Sequence, residues 1–246
     1  MADTAYLDGP NARLAYAHTP GDGPTVVFLS GYKSDMEGTK AVHLEAWAKA
    51  RARAYLRLDY SGHGQSGGVF EEGCIGDWAA DAQAVIEAAT EGPLLLVGSS
   101  MGGWIGSLLT QRLAGRVAGF VGIAAAPDFT EDGFWAGFSD EERRKVMEEG
   151  VTYLPSAYGD PYAVTRRLIE DGRENLVLRA PLPMPFPVRL MQGSADEAVT
   201  RETALRLFDH IDSPDLRLSF VKGADHRFSE PDNLAMIEAA IAEIGG

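Results

Sequence analysis

Ser100, Asp196 and His226 are three residues whose types and order along the chain could together perform acyl transfer. Ser100 is the centre of Gly98-Ser99-Ser100-Met101-Gly102, directly after an apolar run at 94–97 and directly before a stretch of helical pattern. That is G-x-S-x-G in the strand–turn–helix setting of a nucleophile elbow. A serine on so sharp a turn needs neighbours without side chains, which Gly98 and Gly102 supply. The turn lifts the hydroxyl above the sheet edge and aims the Met101 N–H at the point where an oxyanion would form. Ser99 does not fit the frame, because Val97 and Met101 would then take the glycine positions.

A serine hydroxyl is a weak nucleophile at neutral pH and needs a base, itself oriented by a carboxylate. On a strand–turn–helix elbow these follow in the order Ser, Asp/Glu, His. Residues 188–193 read as a buried strand ending in a turn, and Asp196 falls in the loop after it. Residues 216–221 alternate as the last strand, and His226 falls in the loop that follows. Asp196 could instead cap a helix predicted over 197–208. Glu197 is the rival acid, but the Gly193-x-x-Asp196 offset favours its neighbour. Of the other histidines, His18 precedes a Pro-Gly turn, His43 and His210 lie in helical stretches, and His63 lies in a glycine-rich loop.

The second oxyanion donor belongs on the loop after the third strand. Residues 25–30 are that strand, Tyr32 N–H is the candidate donor, and Gly31 lets the backbone approach. An ordinary strand-to-helix turn is the alternative. A third glycine loop, 59–68, lacks the lysine of a phosphate-binding P-loop and reads as support at the rim of a pocket.

The elements that must position these residues follow from pattern. A hairpin is predicted from strands at 5–7 and 13–18. Strands at 25–30, 54–58, 94–97 and 117–124 then alternate with helices at 39–52, 77–90 and 101–113, which implies βαβ units and a mostly parallel sheet of eight strands with helices on both faces. Sites in such sheets lie at the carboxyl ends of strands, where Tyr32, Ser100, Asp196 and His226 all fall. The alternation stops over 127–187, predicted as a helical cap inserted into a core of residues 1–126 and 188–246. The cap carries predicted helices at 140–149 and 161–171, an extended stretch at 151–158, and alternate prolines at 181–187 that favour a stiff extended return. Trp135 and Phe138 are candidates to line an acyl pocket, or simply pack the cap. Arg143, Arg144, Lys145, Arg166 and Arg167 could bind a substrate carboxylate, although such runs more often form a solvated helix face.

Composition bounds the function. The 246 residues carry 22 basic and 36 acidic side chains, a net charge of −14. That disfavours nucleic acid and anionic membranes as partners and fits a small organic substrate. No run approaches the ~20 apolar residues of a membrane span. One cysteine, Cys74, excludes an internal disulfide or a cysteine-built metal site. The N-terminus has neither a basic n-region nor an apolar h-region, so the expected compartment is the cytoplasm. No metal motif or dinucleotide fingerprint is present, and a triad needs no cofactor.

The chain resembles the α/β-hydrolase superfamily. Within it the likeness is to the group of mitochondrial palmitoyl-protein thioesterases that also act as acyl-glucuronide esterases. The resemblance is carried by Gly31-Tyr32-Lys33-Ser34-Asp35-Met36-Glu37-Gly38-Thr39-Lys40-Ala41, by Asp59-Tyr60-Ser61-Gly62-His63-Gly64-Gln65-Ser66, by Val97-Gly98-Ser99-Ser100-Met101-Gly102-Gly103-Trp104, by Gly150-Val151 with Pro155-Ser156, and by Asp225-His226-Arg227. It implies a Ser100–Asp196–His226 triad that hydrolyses esters or thioesters through an acyl-enzyme intermediate, on a small-molecule substrate or an acylated protein. Carbon–carbon bond hydrolysis, cofactor-free haloperoxidation, peptide hydrolysis or ligand binding without turnover are the competing readings, because fold does not fix reaction.

Overall fold

The computed structural model describes residues 2–155 and 161–245. Its eight-stranded sheet runs in the order β1-β2-β4-β3-β5-β6-β10-β12. β1 (Ala5–Asp8) and β2 (Arg13–Thr19) form the expected hairpin, and β2 also pairs antiparallel with β4 (Arg53–Leu58). From there every pairing is parallel, through β3 (Asp22–Leu29), β5 (Leu94–Ser99), β6 (Val117–Ile123), β10 (Val188–Gly193) and β12 (Leu216–Val221). The central strands are buried and mostly apolar because both faces are covered. β5 is buried at all six positions, and so is β10.

Two apolar layers flank the sheet. Helices α1 (Thr39–Ala50) and α7 (Pro231–Gly245) close one face through Leu44, Trp47, Ile237 and Ile241. Helices α2 (Ile75–Ala89) and α3 (Met101–Arg112) close the other through Trp78, Val85, Trp104 and Leu109. Cys74 sits at the N-terminal end of α2 rather than in open loop, and burial pushes its thiol up to about 12.

Between β6 and β10 the chain leaves the sheet. It makes a wide helical turn at Phe129–Trp135, then α4 (Asp140–Arg144), opened by a Ser139–Glu142 capping box and continued as a wider turn over Lys145–Glu149. The expected second helix differs in its start. Tyr162–Thr165 is β8, paired antiparallel with β7 (Val151–Leu154), and α5 begins only at Arg166 and ends at Glu174. The physical reason is local. Residues 162–165 include an aromatic and two β-branched side chains suited to a strand, and the Thr165 side chain accepts from Leu168 N–H to start the helix there. The predicted stretch 151–158 ends, for its last three residues, outside the described ones. The proline-rich return is extended as expected and contributes β9 (Leu182–Pro183), which pairs with β11 (Ile211–Asp212) after α6 (Arg201–His210). The helix predicted over 197–208 therefore starts four residues later, at Arg201, with Thr200 as its cap. Among the described residues no helix is long and apolar enough to cross a membrane.

Candidate active site

Ser100 occupies the turn between β5 and α3 with φ +55° and ψ −120°. A non-glycine residue held there costs about 1–3 kcal/mol and persists only where its surroundings over-determine it. They do. Ser100 N–H donates to Ile123 carbonyl at 2.9 Å, while Ser100 carbonyl accepts from Gly103 at 2.9 Å and Ala126 at 3.0 Å. The flanking glycines are sterically obligatory. A Cβ on Gly102 would lie 2.0 Å from the Leu29 carbonyl oxygen, and one on Gly98 would lie 2.3 Å from the Gly102 carbonyl oxygen.

The loops after β10 and β12 bring the other two residues to the elbow. His226 Nε2 lies 3.1 Å from Ser100 Oγ, and His226 Nδ1 lies 2.9 Å from Asp196 Oδ2. The Asp196 side chain is fully buried and the His226 side chain is 19% exposed. Asp196 Oδ1 accepts from the N–H groups of Ala198 and Val199, both at 2.9 Å, and Oδ2 accepts from Gln192 Nε2 at 2.8 Å. Burial alone would raise the carboxyl pKa. The hydrogen bond from His226 and the two backbone donors more than reverse this, leaving it below the ordinary value and ionised at neutral pH. Asp196 is thus not a helix cap, and Glu197 beside it is exposed. Gln192 was invisible to the sequence reading, since an amide inside an apolar strand carries no motif. Its position four residues before a candidate acid is the one signal that could have found it.

Gly31 packs against Ser100, since a Cβ there would lie 3.3 Å from Ser100 Cβ. Tyr32 follows, its phenol donating to Ala163 carbonyl in β8 at 2.9 Å. Among the described residues no acceptor takes the Tyr32 N–H, and Met101 N–H is a first-turn donor of α3 with no partner inside the helix. The loop carrying Tyr32 is pinned at Met36, whose N–H donates to Asp59 Oδ1 at 2.7 Å and whose carbonyl accepts from Arg57 at 2.8 Å.

Other residues singled out in the sequence sit elsewhere. Trp135 lies under the Arg173 guanidinium, 4.5 Å from its ring centre, with Arg143 at 5.7 Å, and Phe138 packs edge-on against it. No described contact joins either ring to Ser100 or His226. Four of the five cations pair within the insertion, Arg143 near Asp140, Arg144 with Glu148 and Glu149, Lys145 with Glu141 and Arg166 with Glu170, while Arg167 reaches across to Asp77 in α2. His63 is buried edge-on against Tyr60, Phe70 and Trp78, and burial pushes its pKa down to about 4, so it is neutral. No group of side chains among the described residues could hold a metal ion.

The profile of the alpha/beta hydrolase family matches residues 26–237. The chain belongs to the alpha/beta hydrolase family. Its fold is that family's: an eight-stranded, mostly parallel sheet flanked by helices. The chain is 34% identical over 242 residues to the bovine mitochondrial palmitoyl-protein thioesterase ABHD10, covering 96% of this hydrolase and 77% of the relative. A solved structure from Agrobacterium vitis S4 superposes with a TM-score of 0.96 at 37% identity over the whole of both chains. Mouse alpha/beta hydrolase domain-containing protein 10 superposes with a TM-score of 0.90 at 31% identity, over 98% of each chain. The chain is therefore an alpha/beta hydrolase related to a thioesterase, as the sequence resemblance implied.

Proposed function

We propose that this hydrolase cleaves carboxylic esters or thioesters through an acyl-enzyme formed on Ser100. The observation that carries the reading is the single imidazole of His226, in hydrogen-bond reach of Ser100 Oγ at 3.1 Å and of a buried, ionised Asp196 at 2.9 Å. His226 Nε2 takes the Ser100 proton as Oγ attacks the acyl carbon, and Asp196 holds the Nδ1–H tautomer. The N–H groups of Met101 and Tyr32 receive the oxyanion. His226 then protonates the leaving alcohol or thiol, water enters by the same route, and the acid departs. Apart from the water consumed, whose proton His226 takes and returns to Ser100 Oγ, this cycle uses protein groups.

Residues 127–155 and 161–187 act as a cap over the carboxyl edge of the sheet. Gly31 keeps the approach to Ser100 open, and Trp135 and Phe138 pack on each other within the cap. The bovine relative named as a palmitoyl-protein thioesterase supports a long acyl chain on sulfur as the first substrate to test. Wild type and Ser100→Ala are compared on p-nitrophenyl esters from acetyl to palmitoyl and on matched acyl thioesters. Turnover in the wild type that falls at least 10³-fold in the variant is expected. A variant that keeps more than a few per cent of activity would sink the assignment.

A further inference from the structure

An oxyanion donor stabilises a transition state only if it is already in place when charge develops. A main-chain N–H on a loop has no rotamer of its own, so its position is set by whatever holds its residue. For Tyr32 that support comes from both parts of the molecule. The ring stands edge-on to two rings of the core, Phe70 at 4.9 Å and Trp78 at 5.9 Å. It also stands edge-on to three rings of the inserted segment: Phe129 at 5.6 Å, Phe134 at 6.1 Å and Tyr162 at 5.6 Å. The phenol hydroxyl then donates to the Ala163 carbonyl, 131 residues away in β8. Burial, with the Glu71 carboxylate as a smaller contributor, pushes the phenol above the ordinary tyrosine range, so it remains a donor at any working pH.

The loop itself offers little else on this side. Its backbone contacts are Ser34 N–H to the Gly31 carbonyl at 3.1 Å and, farther along, Gly38 N–H to the Asp35 carbonyl at 3.3 Å, and Lys33 stands at φ +56°. Met36 is fixed to the core by Asp59 and Arg57, but it lies four positions beyond Tyr32. Three positions the other way Leu29 ends β3, and the Ser30 carbonyl after it accepts from the Tyr60 hydroxyl at 3.3 Å. The tyrosine side chain is therefore the anchor nearest the donor, and half of that anchor belongs to the insertion.

We infer that Tyr32 is a positioning residue: through its hydroxyl bond to β8 and its ring contacts, the docked insertion sets the place of the oxyanion-hole N–H. The inference rests on the serine-hydrolase reading and deepens it. It gives the cap a part in the chemical step in addition to any contact with the acyl chain.

The test uses Tyr32→Phe, which keeps the ring and the N–H and removes only the hydroxyl. Rates are normalised to sites counted by fluorophosphonate titration, so that misfolded protein does not register as slow chemistry. The expected result is a fall in kcat of about tenfold with KM changed less than twofold, since a displaced donor costs less than the 10²–10³ of a deleted one. Affinity for an alkyl boronic acid, whose adduct with the serine places an oxygen in the same hole, should fall by a similar factor. Tyr32→Leu, which also empties the ring cage, should lower kcat about 10²-fold per titrated site. An unchanged kcat in both variants, or a raised KM at constant kcat, would overturn the inference, the latter marking Tyr32 as mere pocket lining. Ser100→Ala runs alongside. If it stays active, the serine-hydrolase reading itself fails; if it is dead while both Tyr32 variants match wild type, only the positioning role fails.

Discussion

Two carboxylates buried at the same edge of the sheet have been driven in opposite directions. Asp196 follows β10, and its pKa lies below the ordinary value; Asp59 follows β4, and its pKa rises to about 6. Both are out of water and both accept backbone N–H groups. Asp59 takes one from Met36 at 2.7 Å and one from Gln65 at 2.8 Å, which do not offset its desolvation, and Asp35 nearby adds repulsion. Asp196 takes two backbone N–H groups, the Gln192 amide and the His226 ring. The difference teaches what a buried acid needs in order to stay charged: enough donors, one of them able to carry a positive charge. The same residue type thus serves as a clamp in one loop and, in the proposed triad, as an orienting charge in another.

The largest effect that could break this contrast is at Asp196. Asp196→Asn should fold normally and lose about 10⁴ in kcat, because an amide cannot favour the Nδ1–H tautomer. Asp59→Asn should retain most turnover per titrated site. Equal losses in the two variants would erase the distinction between orienting charge and clamp.

The next effect is on stability. Asp59→Asn should cost about 1–3 kcal/mol, since an amide offers one acceptor oxygen where two are used. The pH dependence has a definite sign. Folded Asp59 keeps its proton up to about pH 6, whereas the unfolded chain releases it near 3.8, so its contribution to stability falls as pH rises between those values. Asp196 behaves inversely, its contribution being lost as pH drops through its lowered pKa. The deficit of Asp59→Asn against wild type should therefore be larger at pH 4 than at pH 7 by thermal unfolding. A deficit independent of pH would show that Asp59 does not titrate in this range.

The smallest effect sharpens the comparison. Gln192→Leu removes one donor from Asp196 Oδ2 and moves that acid toward the condition of Asp59. A fall in kcat of about tenfold, equivalent to ~1.4 kcal/mol, is expected from rates per titrated site. An unchanged rate would mean that the imidazole and two N–H groups suffice.

The sheet and the meeting of Ser100, Asp196 and His226 were legible because they rest on local rules. A serine between glycines after an apolar run has few other uses, and alternating strands and helices leave the carboxyl edge as the one place where those loops can meet. The insertion was less legible. Its helix from Asp140 has a capping box written in the sequence, but the wide turn at Phe129–Trp135 has no comparable signature, and the strand-suited residues Tyr162–Thr165 find in β7 a partner that their own pattern does not name. Tyr32 shows the same division. Its backbone role could be inferred from its place after β3. The contacts of its side chain depend on residues 38 to 131 positions away, and no spacing rule reaches that far.

The loops after β10 and β12 are also laced to each other. Ser194 Oγ accepts from Gly223 N–H at 2.8 Å, Ala195 N–H donates to Ala224 carbonyl at 3.0 Å, and Gly193 leaves no room for a Cβ against that same carbonyl. Asp196 and His226 therefore ride on one mechanical unit, while Ser100 rides on β5, with β6 between them. Thermal jostling of the sheet should alter the serine–imidazole gap and spare the imidazole–carboxylate one. In the proposed triad, warming should accordingly detune proton transfer at the serine well before it disturbs the tautomer on which that transfer depends.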